Sequence, residues 1–239
     1  MRPFIYLMLI LFAPFCYAHT PLKVVTELSP PNQTRINNEV MGYSTEIVRL
    51  ILAAANIDAT IEIYPWARAY KMAHSKPNTL IYSLAKTADR EPLFHWIGTV
   101  AQFKLGFVKL SQRSDIVINN LEQAKQYNVA VQRHDLAYKV LTKYGFAVVL
   151  TSDIQKSYHL LLAEKVDLII DDENYLAAMS EQLAINADKI SFVYAIDELA
   201  VAGYLATNIN MDKAVVTQLK HAFAKVKSTP QYNALLKQK

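Results

Sequence analysis

The sequence predicts an α/β protein, and three observations carry that reading. Short apolar runs alternate with stretches whose apolar residues recur at helical spacing, the pattern of helices layered on a sheet. Apolar residues make up 52% of the 239-residue chain, enough for a sizeable core. The chain has one cysteine, so that core rather than a disulfide framework must hold it together.

The elements follow in chain order. Leu22 to Leu28 reads as a strand, ended by the turn cluster Ser29-Pro30-Pro31-Asn32, since proline offers no ladder donor. Gly42 precedes a helix whose Tyr43, Ile47, Leu50, Ile51 and Ala54 share one face. Thr60 to Tyr64 is a second strand, Pro65 breaks it, and a helix runs on through Met72. Leu80 to Leu84 is a third strand. The middle of the chain repeats this grammar: strand Val129 to Gln132, helix Leu136 to Tyr144 stopped by Gly145, strand Ala147 to Leu150. Asp153 is a cap for a helix carrying Tyr158, Leu161 and Leu162. Val166 to Ile170 is a dense apolar strand, as expected where both faces are covered. Asn174 to Leu183 reads as a helix, Ile190 to Ile196 as a strand, and Val215, Leu219, Ala222, Phe223 and Val226 mark one face of the last long helix. If two domains exist, the extended segments Lys104 to Leu110 and Ile190 to Ile196 are the candidates to join them, giving a hinge of two crossings.

The formal charge of +4 is mild, and no Lys/Arg-rich run tracks a phosphate backbone, so nucleic acid is not an expected partner. Arg2, the apolar run Phe4 to Phe12 and the small residues Cys16 and Ala18 read as a signal peptide over 1–18, cut after Ala18, which places the mature protein in the periplasm. No other apolar stretch approaches the roughly 20 residues of a spanning helix. The histidines form no close i, i+4 pair, and no zinc motif, nucleophile elbow or Gly-rich phosphate loop is present; neither metal nor cofactor is expected.

Three segments together resemble the bacterial extracellular solute-binding proteins of family 3, the polar amino-acid-binding proteins of ABC transporters. They are Gly42-Tyr43 opening a helix, Ser83-Leu84-Ala85-Lys86-Thr87-Ala88-Asp89-Arg90 after a strand, and Lys165-Val166-Asp167-Leu168-Ile169-Ile170-Asp171-Asp172. Tyr64-Pro65-Trp66-Ala67-Arg68-Ala69 resembles a variant of that family's single-domain members. The resemblance implies a two-lobed periplasmic-binding-protein-like fold, each lobe a mixed β-sheet flanked by helices. Lobe one would comprise 19–107 and 199–239, and lobe two 108–198.

A zwitterion leaving water needs its charges matched, because an unpaired buried charge is costly. Arg90 offers a planar fork for a carboxylate, and the resemblance implies that role; the alternative is a surface arginine pairing with Asp89 or Glu91. Asp172 ends an apolar strand, where ligands of open sheets gather, and its family counterpart takes an ammonium group; the alternative is a helix cap. Ser83 is a candidate hydrogen-bonding group or a simple turn residue. Trp66 is an aromatic wall or core, and Arg68 a second anion contact or a solvated side chain. Glu27, at the end of the first strand, is a further candidate. Gln132-Arg133-His134-Asp135 replaces the family's small-residue anion loop, so His134 and Asp135 join the list and point to a larger, differently charged or non-amino-acid ligand.

The expected function is capture of a small polar, amino-acid-like ligand between closing lobes, without catalysis, by a monomer serving an inner-membrane ABC permease. Two alternatives use the same cleft. One is a dehydratase of small carboxylic acids with Glu27, His134 or Asp172 as acid or base; the other is a ligand-sensing subunit of a membrane receptor.

Overall fold

Side-chain alternation along the strands decides the layering. In a computed structural model describing residues 22–238, strands β1 (Leu22–Thr26), β4 (Ala59–Ile63) and β5 (Thr79–Ala85) pair in parallel, as do β7 (Val129–Gln132), β8 (Val148–Thr151) and β9 (Leu168–Asp172). The expected signal peptide over 1–18, with Cys16, lies outside the described residues. Two long antiparallel strands, β6 (Phe94–Leu110) and β10 (Ile190–Asn208), lie between the two sets, and the eight-stranded order is β4-β1-β5-β10-β6-β9-β7-β8.

Each half is a three-layer sandwich. In the first, Val24 and Leu80 pack with α1 (Tyr43–Ala54) and α7 (Lys213–Val226), while their chain neighbours Val25 and Ile81 pack on the opposite face with α2 (Trp66–Ser75). In the second, Val129, Val131, Leu168 and Ile170 pack with α4 (Leu136–Lys143), while Ala130 and Ile169 pack with α5 (Ile154–Leu162) and α6 (Leu176–Gln182). Period-two alternation therefore sends neighbouring apolar residues of the central strands to opposite layers, which is why these strands read as continuous apolar runs. A helix α8 (Pro230–Lys237), capped by Thr229, closes the first half. Among the described residues no helix is long and apolar enough to cross a membrane.

The crossing segments differ from expectation in extent. Lys104 to Leu110 and Ile190 to Ile196 do cross, but each is part of a much longer strand serving both halves. Their ladder shifts register at several points, most widely in the middle: Ala195 pairs with Gly106, yet Ala200 pairs with Lys104, so β10 bulges over Ile196 to Leu199. A bulge bends the strand and loosens pairing locally, which marks the place where the halves can move. A second difference is the hairpin β2 (Thr34–Ile36) and β3 (Glu39–Met41) between the proline turn and α1. Its residues alternate too briefly to signal strands.

Gly106 sits beside this bulge because no side chain fits there. An added Cβ would lie 2.1 Å from the Tyr194 carbonyl oxygen and 2.8 Å from the Ala195 Cα, and backbone cannot swing aside. Gly106→Ala is therefore expected to destabilise the protein by about 1–3 kcal/mol. A lower urea midpoint at unchanged slope is the reading that checks this.

Candidate functional site

Parallel strands on both sides point their carboxyl ends at one cleft, the position where open α/β sheets gather ligands. Glu27 follows β1, Ser83 and Ala85 end β5, Gln132 ends β7, and Asp171 lies near the end of β9. All line one inner cavity of about 60 Å³, together with Trp66, Arg90, Phe103, Asp135 and Met179. An outer cavity of about 280 Å³ adjoins it, sharing Glu27, Leu28 and Ile154 and adding Arg35, Tyr64 and Asp153.

Arg90 is the largest fully buried side chain, at 1% exposure. Its Nη1 donates to the Ala85 carbonyl at 3.1 Å and its Nη2 to the His134 carbonyl of the other half at 2.6 Å. The guanidinium lies 5.2 Å from the Tyr70 ring centre and 5.8 Å from that of Trp66, stacked where a cation favours an aromatic face. Its Nε donates to nothing. Neither Asp89 nor Glu91 pairs with it; Asp89 instead meets Lys139 of α4, and Glu91 pairs with Lys86.

Other buried polar atoms around the same cavity are also unanswered. They are Trp66 Nε1, Gln132 Oε1 and Glu27 Oε2. Native proteins leave few such atoms, and each one calls for an explanation. Donors (Arg90, Trp66) and acceptors (Glu27, Gln132) thus lie around a single space.

Three carboxyls line that space, and burial acts on each. Glu27 is pushed up to about 8, first by burial and then by the neighbouring Asp135 carboxylate, with a Gln132 hydrogen bond opposing. Asp171 is raised to about 6 by burial, partly offset by the Tyr158 hydroxyl, which donates to it at 2.7 Å. Asp135 is raised by burial and held back by Arg90 and by backbone N–H groups at the start of α4, where its Oδ1 accepts from the Leu136 N–H at 2.6 Å. Among the described residues no group of three His, Cys, Asp or Glu is placed to hold a metal ion.

Several expected site residues stand elsewhere. Asp172 does not line the cavity. Its Oδ2 accepts from the Lys104 N–H at 2.6 Å, and its Oδ1 accepts from the Asn174 N–H at 3.0 Å and the Asn174 side chain at 2.8 Å. It caps the turn after β9 and ties that strand to β6 opposite the β10 bulge. Strand alternation explains the exchange: neighbouring residues face opposite ways, so only one of the two aspartates can face the cleft, and it is Asp171. Arg68 is exposed and lies over the Tyr64 ring, 4.4 Å from its centre, rather than in the cavity. The His134 ring is exposed and stacks on Tyr70 at 6.0 Å, so only its carbonyl reaches Arg90. Ser83 lines the cavity, but its hydroxyl donates to Gln33 Oε1 at 3.1 Å, leaving its lone pairs as acceptors.

Ser83 and His134 both hold left-handed backbone, φ 61° and 63°. Such conformations cost a non-glycine residue energy, and they gather where function needs them. Tyr70, Gln132, Asp171 and Tyr158 were not among the expected site residues. Only the doubled aspartate after an apolar strand carried a sequence signal for any of them.

The two halves also touch outside the cavity. Besides Asp89 with Lys139, Thr34 of the hairpin bonds Gln182 of α6, and Asn32 bonds the Tyr175 hydroxyl, which donates to the Gln102 carbonyl at 3.0 Å.

No family model matches the sequence, and a comparison with curated proteins finds no match. Solved structures do match. A histidine kinase sensor domain with similarity to periplasmic binding proteins superposes with TM-score 0.77 at 16% identity, covering 91% of this chain and 94% of its own. An ancestral arginine-binding protein bound to arginine gives TM-score 0.77 at 16% identity, covering 91% and 96%. A ligand-binding core from Nostoc punctiforme in complex with L-glutamate gives 0.72 at 19%, covering 90% and 97%. The fold is therefore the two-lobed periplasmic-binding-protein-like one.

Two outcomes follow from this geometry. Asp172→Ala is expected to cost about 2–3 kcal/mol of stability, since it strands the Lys104 and Asn174 donors, and chemical denaturation measures it. Glu27 holds its proton in the folded chain up to about pH 8 but releases it near 4.5, its ordinary value, when unfolded. The native state binds more protons across that window, so stability falls as pH rises through it, by at most about 1.4 kcal/mol per pH unit. Glu27→Gln is expected to flatten the melting-temperature profile above about pH 6, where Asp171 no longer contributes.

Proposed function

We propose that this protein reversibly captures a small, amino-acid-like ligand carrying one anionic group and an excess of positive charge. The observation that carries the reading is Arg90, buried with an unanswered Nε, on the same cavity as the unanswered Glu27 Oε2. One cation faces three carboxyls there, so a ligand carboxylate suits Arg90 and ligand cations suit Glu27, Asp135 and Asp171. A side chain too long for the inner space passes Glu27 into the outer cavity. The proposed lobe one comprises 19–107 and 199–239 and lobe two 108–198. Val24, Ile51 and Leu205 of one core cluster fall in the first and Val108, Tyr158 and Ile169 of another in the second, while a third cluster joins Ala85, Phe107 and Leu199 to Val129 and Leu168 across the boundary. The inner space has room for only a few waters, so the ligand enters with the lobes apart. It then favours closure by the contacts it adds from lobe two.

Micromolar affinity corresponds to about 8 kcal/mol. Two charge-assisted contacts at about 1.5–3 kcal/mol each, with aromatic burial, reach that scale after ordering costs. The reading is of a binding protein rather than an enzyme, and the arginine-binding and glutamate-bound structures it superposes on support that. Periplasmic capture for a membrane permease is the proposed setting. Sensing for a membrane receptor is the second reading, favoured by the likeness to a kinase sensor domain.

A thermal-shift screen tests the proposal, because a ligand that binds only the folded state raises its melting temperature. L-arginine, L-lysine or a related dibasic compound is expected to give the largest rise, and L-glutamate none. Arg90→Lys keeps the charge but loses the fork, and is expected to weaken binding at least about tenfold, a loss worth 1.4 kcal/mol. A melting temperature raised only by acidic compounds, or affinity unchanged in folded Arg90→Lys protein, would defeat it.

A further inference from the structure

We infer that the cleft takes its cationic ligand in exchange for a proton held on Glu27. This rests on the cationic-ligand reading above and adds a second species to the binding reaction.

Glu27 stands where the inner and outer cavities meet, lining both. Its Oε2 is closed off from solvent without a hydrogen-bond partner, and it joins no ion pair among the described residues. The groups facing it come from every side. Asp135 caps α4 and Asp171 arrives on β9, both around the inner cavity. Asp153 caps α5 at the outer cavity, and Arg35 reaches the same cavity from the hairpin. Arg90 lies on the inner wall, but its Nη groups are committed to the carbonyls of Ala85 and His134. Three acids therefore surround Glu27, while Arg90 serves other acceptors.

A carboxyl so placed stays neutral, because burial and like charges both disfavour its ionised form; its raised titration, to about 8, agrees. A ligand ammonium or guanidinium reverses the balance, since an opposite charge within contact favours the carboxylate. The Glu27 O–H bond then breaks, its electron pair stays on the oxygen, and the proton passes to solvent as the ligand cation takes its place. One charge replaces another, so the low-dielectric space never holds an isolated carboxylate. Acid then competes with the ligand. Below the Glu27 titration, affinity falls by up to about tenfold per pH unit.

Two measurements test this. In ligand-free, carboxyl-13C-labelled protein, the resonance missing from Glu27→Gln is expected to titrate near 8; titration in the ordinary carboxylate range overturns the inference whatever binds. Calorimetry with L-arginine near neutral pH, in phosphate and in Tris, gives the proton count from the difference in buffer ionisation heats. Close to one proton released by wild type and none by Glu27→Gln is the expected result. Arginine bound by wild type without proton release overturns the exchange but leaves the cationic-ligand reading intact. No binding of any dibasic compound, with binding of L-glutamate instead, overturns both. The wild-type count stands alone should Glu27→Gln fail to fold.

Discussion

One long antiparallel ladder organises the molecule. Strands β6 and β10 run through both halves, and each half lays its parallel strands against them. Because both strands run through the two halves, the carboxyl ends of β1 and β5 are brought opposite those of β7 and β9. Because the ladder is interrupted at Ile196 to Leu199, the halves are joined by a place that bends. The Lys104 N–H lies beside that interruption and finds its acceptor in Asp172. That single bond shows how the aspartate pair divides its work: one member repairs the ladder, the other faces the cleft.

The cleft itself is built from unmet demands. Arg90 is buried deeply enough that its unused Nε has no recourse to water, and Trp66, Gln132 and Glu27 present the same problem around the same space. Polar groups of this kind are tolerated in a folded protein when something else completes them. With three carboxyls and one arginine on its wall, the inner cavity suits a partner that brings positive charge. Burial and neighbouring carboxylates favour a protonated Glu27 near neutral pH, whereas Asp171, raised to about 6, is largely ionised there.

Much of the fold was legible in the chain. Strand and helix alternation, the Pro65 break, the Gly145 stop and the Asp153 cap all appear where periodicity and turn chemistry place them. The long strands were read only in part, since Phe94 to Phe103 mixes aromatic, glycine and polar residues without clean alternation. The apolar strand expected to end at Ile170 runs on through Asp171 and Asp172. At the site, the sequence brought Arg90, Ser83, Trp66, Asp135 and Glu27 to one cavity, but placed the second-half acid one residue late. Composition cannot show which face of a strand a residue occupies when both faces are buried, and a one-residue slip inverts the answer. Gln132 and Tyr70 carried no signal because their roles depend on partners distant in sequence.

The contacts at the rim of the cleft carry a consequence of their own. Asp89 with Lys139, Thr34 with Gln182 and Asn32 with Tyr175 join the halves outside the inner cavity, Gln182 also lining the outer one. Each shifts the resting balance between apart and together, and a partner that fits only the joined form is bound in proportion to how often that form already exists. Affinity in this protein can therefore drift under mutation of residues outside the inner cavity, such as Asp89 and Lys139, with its selectivity left as it was.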